Sequence, residues 1–484
     1  MSIELALAAL GAVILVSALA AGFVDRAPLS FPIVFLALGA ALGPRGAGVV
    51  RVEPHSPALE VLAVFTLSLI LFLDAVNLER TRERRDLVAP LLAVGPGTLL
   101  VIALGTAAAA WLLHVPIAVA AIVGSVLAST DPVVLRDVTR DPAIPLPVRR
   151  VLSIESGAND VVVLPVLLVL LAVTRAQIGS VGGWVVFLGK LLVIGPVCGL
   201  LVGGVGAWLM ARIDARLPVR REFQSLYGIG LVLASYGVGA IVGVDGFLAA
   251  FAAGLGVTLF NQTLCDCFIE YGAATAEIAM LLAFGLFGAL LSDVIGGPSL
   301  GPSLLFAAVM IFVARPLAMG LVLLEAPSLS WPARALIAWF GPRGLSSLLF
   351  ALLVLRTGLP EGMQLLAVVG TTVVASVLLH GISGRPLSAA YARVVGRETL
   401  GEERESTASG LFSGAEGDGP RVDPDELAAL LSRPDPPLVL DVRSRSDRDR
   451  DPRQIPGSIR VPPDEVEAWA RGRSVRGRVI TYCT

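Results

Sequence analysis

Four carboxyl groups, an asparagine and an arginine stand where the surrounding sequence is otherwise apolar. Asp131 lies in Ala128-Ser129-Thr130-Asp131-Pro132. Glu155, Ser156, Asn159 and Asp160 follow in Glu155-Ser156-Gly157-Ala158-Asn159-Asp160. Arg343 sits in Phe340-Gly341-Pro342-Arg343-Gly344, and Asp74 closes the run Leu71-Phe72-Leu73-Asp74. A charge at the centre of a bilayer costs about 2.5–3.5 kcal/mol on insertion scales, so such residues persist where they do something. Arg343 stays charged at any ordinary pH and needs an acidic partner. Glu155 is the expected one, with Asn159, four residues on and on the same helix face, hydrogen-bonding alongside. That leaves Asp160 as the free carboxylate. Burial penalises its charged form and a nearby cation restores it, so a proton and a small cation compete for one group. The hydroxyls of Thr130 and Ser156, with a backbone carbonyl freed by a helix break, could complete an oxygen shell. Asp131 is open to two readings: it binds the ion, or it caps the N–H groups of a broken helix. Lys190, Glu277 and Asp293 are also charged within apolar runs. They read as a snorkelling side chain and two helix-end positions.

The elements that must position these groups are membrane helices. The chain has 484 residues, 55% hydrophobic and 16% charged, against about 25% charged in an ordinary soluble domain. Apolar runs long enough to cross a bilayer, roughly 20 residues each, recur at about 3–24, 28–44, 57–78, 87–113, 115–138, 151–173, 184–211, 223–243, 245–260, 273–295, 302–325, 331–356 and 363–383. This predicts an all-α polytopic membrane protein with about thirteen spans. Met1–Gly22 carries Glu4, lacks a basic start and is read as the first span rather than a leader. Pro132 in the fifth run and Gly341-Pro342 in the twelfth predict two interrupted helices. They correspond if helices 1–6 repeat as 8–13 in inverted sense, a pattern that points to a transport site.

Arginine sets the orientation. Arg80, Arg82, Arg84 and Arg85, then Arg136, Arg140, Arg149 and Arg150, then Arg212, Arg216, Arg220 and Arg221 follow the third, fifth and seventh runs. The positive-inside rule makes that side cytoplasmic, with the N-terminus outside and the C-terminal tail inside. The net charge of −2 identifies no partner, and nothing points to nucleic acid. Cys198, Cys265, Cys267 and Cys483 offer neither zinc spacing nor a disulfide framework. No cofactor and no enzymatic residue set is expected. His55, His114 and His380 do not locate a pH sensor, and His380 reads as a polar cap.

Beyond the transmembrane domain of residues 1–395, residues 396–420 read as a flexible linker rich in Gly, Glu and Ser. Residues 421–484 look soluble. Leu438-Val439-Leu440 and Arg478-Val479-Ile480-Thr481-Tyr482 read as strands, and Asp464–Ala470 as a short helix.

The ordered set Ser129-Thr130-Asp131-Pro132-Val133, Glu155-Ser156 with Asn159-Asp160, and Gly341-Pro342-Arg343-Gly344 resembles the monovalent cation:proton antiporters of the NhaP and sodium/hydrogen exchanger kind. The segment from Asp245-Gly246-Phe247 to Gly254 resembles them too. The resemblance covers roughly residues 1–395. It implies a homodimer in which a core domain moves past a dimerisation domain. It implies Asp160 as the residue carrying ion or proton, assisted by Thr130, Ser156 and Asp74, and Glu155, Asn159 and Arg343 as a structural network. Asn159-Asp160 resembles the electroneutral branch. Val161-Val162-Val163 departs from the small or hydroxyl residues common there. The tail resembles the start of a rhodanese domain through Leu438–Arg443, Ile455-Pro456-Gly457-Ser458-Ile459 and Val479–Cys483. Gln454 replaces the usual His, and one residue follows Cys483, so sulfur transfer is not supported.

The leading expectation is therefore a Na⁺ (or Li⁺ or K⁺)/H⁺ exchanger of the cell membrane, working by alternating access. A K⁺/H⁺ efflux system or cation channel is the alternative within transport. A membrane-anchored sulfurtransferase and an interaction-only membrane protein are the readings outside it.

Overall fold

The computed structural model describes residues 30–80, 87–141, 143–175, 178–295, 299–397, 400, 402, 422–433, 435–443, 448, 451–462, 465–471 and 478–482, with Gly11, Leu15 and Leu19. Most of the predicted first span, the Arg82–Arg85 loop, most of the linker and Cys483 lie outside the described residues.

Among the described residues, eight helices are long and apolar enough to cross a membrane, and four further apolar helices are shorter. In a bilayer interior every backbone N–H and C=O must be satisfied within the protein, and long helices do this segment by segment. The first elements are α1 (Phe31–Leu42), α2 (Pro57–Arg80) and α3 (Val88–Leu113). The fifth apolar run breaks into α4 (Ile117–Val126) and α5 (Pro132–Thr139). Then come α6 (Leu146–Thr174), α7 (Val181–Asp214), α8 (Arg221–Val242), α9 (Gly246–Phe260), α10 (Gln262–Val294) and α11 (Leu300–Glu325). The twelfth run breaks into α12 (Trp331–Trp339) and α13 (Leu345–Arg356), followed by α14 (Gly362–Arg397).

The buried apolar side chains form two packing units. The larger is dominated by α3–α6 and α10–α14. The smaller joins α2, α7, α8, α9 and α10 around Phe72 and Phe268, whose rings meet edge-on with centroids 5.0 Å apart. The α7 residues Val185, Val186, Leu192, Val193, Leu201 and Val205 are exposed, as a lipid-facing surface requires. Proline within a long helix removes a ladder hydrogen bond. Pro96 in α3 falls within a wide π-turn, Ala93–Gly97, and Pro316 in α11 two residues after another, Met310–Ala314, which absorbs the misfit without ending the helix.

The chain beyond α14 is anchored before the tail begins. Leu400 packs into the larger core. Glu402 is fully buried and accepts from Ser330 N (3.0 Å), Ser330 Oγ (2.6 Å) and the Tyr391 hydroxyl (2.5 Å). Ser330 is the N-cap of α12, so this carboxylate fastens the end of the membrane region to the start of an interrupted helix.

The tail contains α15 (Pro424–Leu431), β1 (Leu438–Asp441), β2 (Ile459–Arg460), α16 (Val466–Arg471) and β3 (Val479–Tyr482). The strands are parallel in the order β2-β1-β3, with Leu438 opposite Val479 and Leu440 opposite Ile459. Asp441 closes β1. Burial alone would push its carboxyl up, but two Arg443 N–H bonds, 2.8 and 2.9 Å long, and that cation's charge hold it below the usual carboxylate range.

Candidate functional site

Both interrupted helices open at the same place, and their extended segments cross. Asp131 N–H donates to Pro342 O at 2.8 Å, joining the two backbones directly. Four helix ends therefore converge: the C-termini of α4 and α12 and the N-termini of α5 and α13. Helix N-termini carry partial positive charge and C-termini partial negative charge. The side chains at the crossing answer this. Asp131 Oδ1 accepts from Val133 N at 2.8 Å and its Oδ2 from Leu345 N at 3.0 Å, so one carboxylate caps both α5 and α13. Of the two readings of Asp131, the cap is the geometry present. Arg343 Nη1 donates to Ala128 O (2.8 Å) and Ser129 O (3.1 Å) beyond the end of α4.

Such a crossing leaves no room for side chains at two positions. A Cβ at Gly344 would lie 1.7 Å from Asp131 Oδ2, and one at Gly341 1.9 Å from Arg315 Nε. Both glycines are required for the close approach.

The expected Glu155–Arg343 pair is not formed. Glu155 is held instead by Arg315 of α11, with Nη1 2.6 Å from Oε1 and Nη2 3.1 Å from Oε2. Arg315 also donates to Phe340 O at 2.8 Å, beyond the end of α12. Glu155 and Arg315 are each about 1% exposed or less. The physical reason is reach. Arg343 sits inside the crossing, where unsatisfied carbonyls are nearer than any carboxylate, whereas α11 brings a bidentate guanidinium onto Glu155. Sequence reasoning missed Arg315. Its signal was available: an arginine followed by Pro316 in the middle of the run 302–325.

Thr130 Oγ1 donates to Glu155 Oε1 at 3.2 Å and accepts a short bond from Asn159 Nδ2. Its side chain thus belongs with Glu155 and Asn159. His380 lies well inside α14, not near its end. Its Nε2 faces Trp339 O at 3.1 Å, capping α12, while Nδ1 faces Ser376 Oγ at 3.1 Å. Ser376 Oγ in turn accepts from Arg343 N at 2.8 Å.

Asp160 is 3% exposed, and among the described residues it forms no ion pair. Ser129 Oγ donates to its Oδ1 at 2.5 Å. One helical turn away, Ser156 lines a polar cavity of about 420 Å³, shared with Asp74, Asn77, Arg136, Arg140 and Gly157. Asp74 Oδ1 lies beside Gly157, 3.4 Å from where a Cβ would stand, and within electrostatic reach of Asp160 and Asp131. The structure thus brings together Asp160, Asp131, Ser156 and Asp74. Glu277, predicted near a helix end, is well inside α10 and pairs with Arg136 at 2.9 Å. At the other ends of the helices Glu60 pairs with Arg356, linking α2 to α13. Among the described residues no cluster of three metal-ligating side chains occurs.

A helical membrane bundle with two interrupted helices crossing beside a buried, unpaired carboxylate is the architecture of a secondary transporter. The chain belongs to the sodium/hydrogen exchanger family: the model of its transmembrane domain matches residues 12–390. The K⁺/H⁺ antiporter NhaP of Alkalimonas amylolytica is 27% identical over 400 residues, covering 80% of this chain and 67% of that protein. The K⁺/H⁺ antiporter NhaP2 of Shewanella oneidensis is 27% identical over 379 residues, covering 76% of this chain and 64% of the relative. The chain thus spans about two thirds of the length of these curated relatives. The structure of the sodium proton antiporter MjNhaP1 from Methanocaldococcus jannaschii at pH 8 superposes with a TM-score of 0.65 at 21% identity, covering 81% of this chain and all of that one. At that identity the likeness establishes the fold. The family and these neighbours are transporters, not enzymes.

Proposed function

We propose that the chain exchanges protons for a small monovalent cation across the membrane, with Asp160 carrying one or the other. The observation that carries this is a carboxylate 3% exposed, without an ion pair among the described residues, one turn beyond a polar cavity. An empty, charged carboxylate is costly to move across a low-dielectric barrier. The site crosses only when neutralised by a proton or a cation, and that obligation is coupling. Alternating access follows: the approach through Ser156 and Asp74 serves one side, and in a second conformation the site opens to the other. Arg136 and Arg140 line the cavity, so the positive-inside rule makes this approach cytoplasmic. Ser156 and Asp74 assist the ion, whereas the Thr130 hydroxyl, first expected in the ion's shell, is engaged by Glu155 and Asn159. Glu155, Asn159 and Arg343 hold the frame with Arg315.

Thirteen spans, a homodimer, electroneutral exchange, an outward N-terminus and residence in the cell membrane complete this reading. So do the division at about residues 395 and 420 and a rhodanese-like tail. Na⁺ is the first choice of ion. K⁺ is favoured as a second reading because the two curated relatives are named K⁺/H⁺ antiporters.

The test uses proteoliposomes holding a pH-sensitive dye and an imposed proton gradient. Na⁺, Li⁺ and K⁺ are added separately to wild type and to Asp160→Asn. Dissipation by at least one cation in wild type, lost in the variant, is the expected result and identifies the ion. A folded wild type that moves protons with none of the three overturns the proposal.

A further inference from the structure

Asp160 does not face the crossing alone. Ser129, in the extended break between α4 and α5, donates its hydroxyl to Oδ1 at 2.5 Å. Ser346, the second residue of α13 just past the other break, is a second hydroxyl within electrostatic reach of this carboxylate. The two are 1% and 5% exposed, and neither lines the cavity that reaches Ser156 and Asp74. The first break therefore delivers a buried hydroxyl onto the carboxylate, and the second leaves another close to it.

A hydroxyl is both donor and acceptor, with a hydrogen that rotates to suit. Donated to an ionised carboxylate, it gives a charge-assisted bond and stands in for water. Turned away, it presents oxygen lone pairs to a dehydrated cation. An alanine at either position can do neither.

We propose that Ser129 and Ser346 are positioning residues that set the competition between cation and proton at Asp160. This inference rests on the exchange reading above and extends it to residues outside the Thr130/Ser156 set. With the site empty, both hydroxyls point at the carboxylate and support its charged form. When a monovalent cation arrives from the Ser156 side, the hydroxyl hydrogens swing away and the oxygens complete its shell. When a proton arrives, the carboxylic acid donates to one of the same oxygens. One hydroxyl comes from an extended segment and the other from the first turn of α13, so a movement of one break against the other changes their spacing and hence the affinity.

The experiment compares wild type, Ser129→Ala, Ser346→Ala and Ser129→Thr as full chains in proteoliposomes, after each elutes as a monodisperse species. Losing a hydrogen bond to a charged group weakens the favoured state by roughly tenfold. Each alanine variant should raise the apparent KM for the driving cation about tenfold near neutral pH and move the acid limb of the pH–rate profile to higher pH. Its maximal rate at saturating cation should fall far less. Ser129→Thr, which keeps the hydroxyl, should recover most of the KM. A second readout needs no transport: a hydrophobic carbodiimide labels Asp160, and the cation concentration that halves labelling, read by mass spectrometry, should rise in the alanine variants. Unchanged KM, pH profile and protection in both alanine variants overturn the inference. A threonine variant as impaired as alanine overturns it too, since bulk and not the hydroxyl would then matter. If wild type moves no protons, the exchange reading fails, and cation protection of Asp160 in the variants still decides the role of the hydroxyls.

Discussion

The break at 127–131 and the break at 340–344 face one problem with opposite charges. Each leaves a helix C-terminus and a helix N-terminus without partners, in a region where water cannot supply them. The first break contributes a carboxylate, Asp131, which caps its own α5 and the α13 of the other break. The second contributes a guanidinium, Arg343, which covers carbonyls of the first. Neither break is satisfied by itself. What each lacks is supplied across the crossing, so the two segments form one structural unit although more than 200 residues separate them. The difference lies in their outer support. The second break receives Arg315 on Phe340, His380 on Trp339 and Glu402 at the start of α12. The first leans, through Thr130, on Asn159 and Glu155 of the adjacent helix. The first break is thus the one whose polar groups adjoin Asp160, and the second the more firmly anchored.

The largest blow to this arrangement is Arg315→Met. It leaves Glu155 buried without its cation, and breaking a buried pair costs about 3–5 kcal/mol. A fall in melting temperature, read by fluorescence-detected chromatography after heating, should exceed that of any variant at the crossing. Glu155→Gln in the same background should restore part of the loss. An Arg315→Met protein that melts with wild type would dissolve the claim that the second break is anchored from α11. Next comes Gly344→Ala, whose Cβ meets Asp131 Oδ2. Overpacking of this kind costs about 1–3 kcal/mol, and here it pushes the two breaks apart. Transport should fall more steeply than stability, and equal small effects on both would show that the crossing tolerates separation. The mildest is Asp131→Asn, which keeps one acceptor oxygen for two N–H groups. A cap is worth about 1 kcal/mol, so a modest loss of melting temperature is expected. If Asp131→Asn instead abolishes exchange with stability intact, its charge belongs to the ion and not only to the frame.

Much of this was legible in the sequence because membranes make patterns coarse. Apolar runs of some twenty residues, a proline or Gly-Pro within two of them, and charges stranded in apolar surroundings follow from the cost of burying polar groups in lipid. That cost holds wherever the helices lie in the fold. Hence the two interruptions, the buried carboxylates and the short strands of the tail were placed from residue types alone. That Asp160 is a buried carboxylate was equally accessible, since its run of apolar neighbours is read directly from the sequence.

Which partner met the arginine was not accessible. Glu155 is 160 residues from Arg315 and 188 from Arg343, and sequence ranks neither. Only packing shows that α11 lays Arg315 along Glu155 while Arg343 is spent on carbonyls inside the crossing. The same holds for Ser129, an ordinary hydroxyl in sequence, which meets Asp160 because the extended segment between α4 and α5 passes beside α6. Glu402 is another case: the composition around it reads as linker, yet three donors bury it. Sequence by itself determined which groups could not be left in lipid, because that cost is local. Tertiary structure alone decided how they satisfy one another, because hydrogen bonds and ion pairs act over about 3 Å and depend on which helices touch.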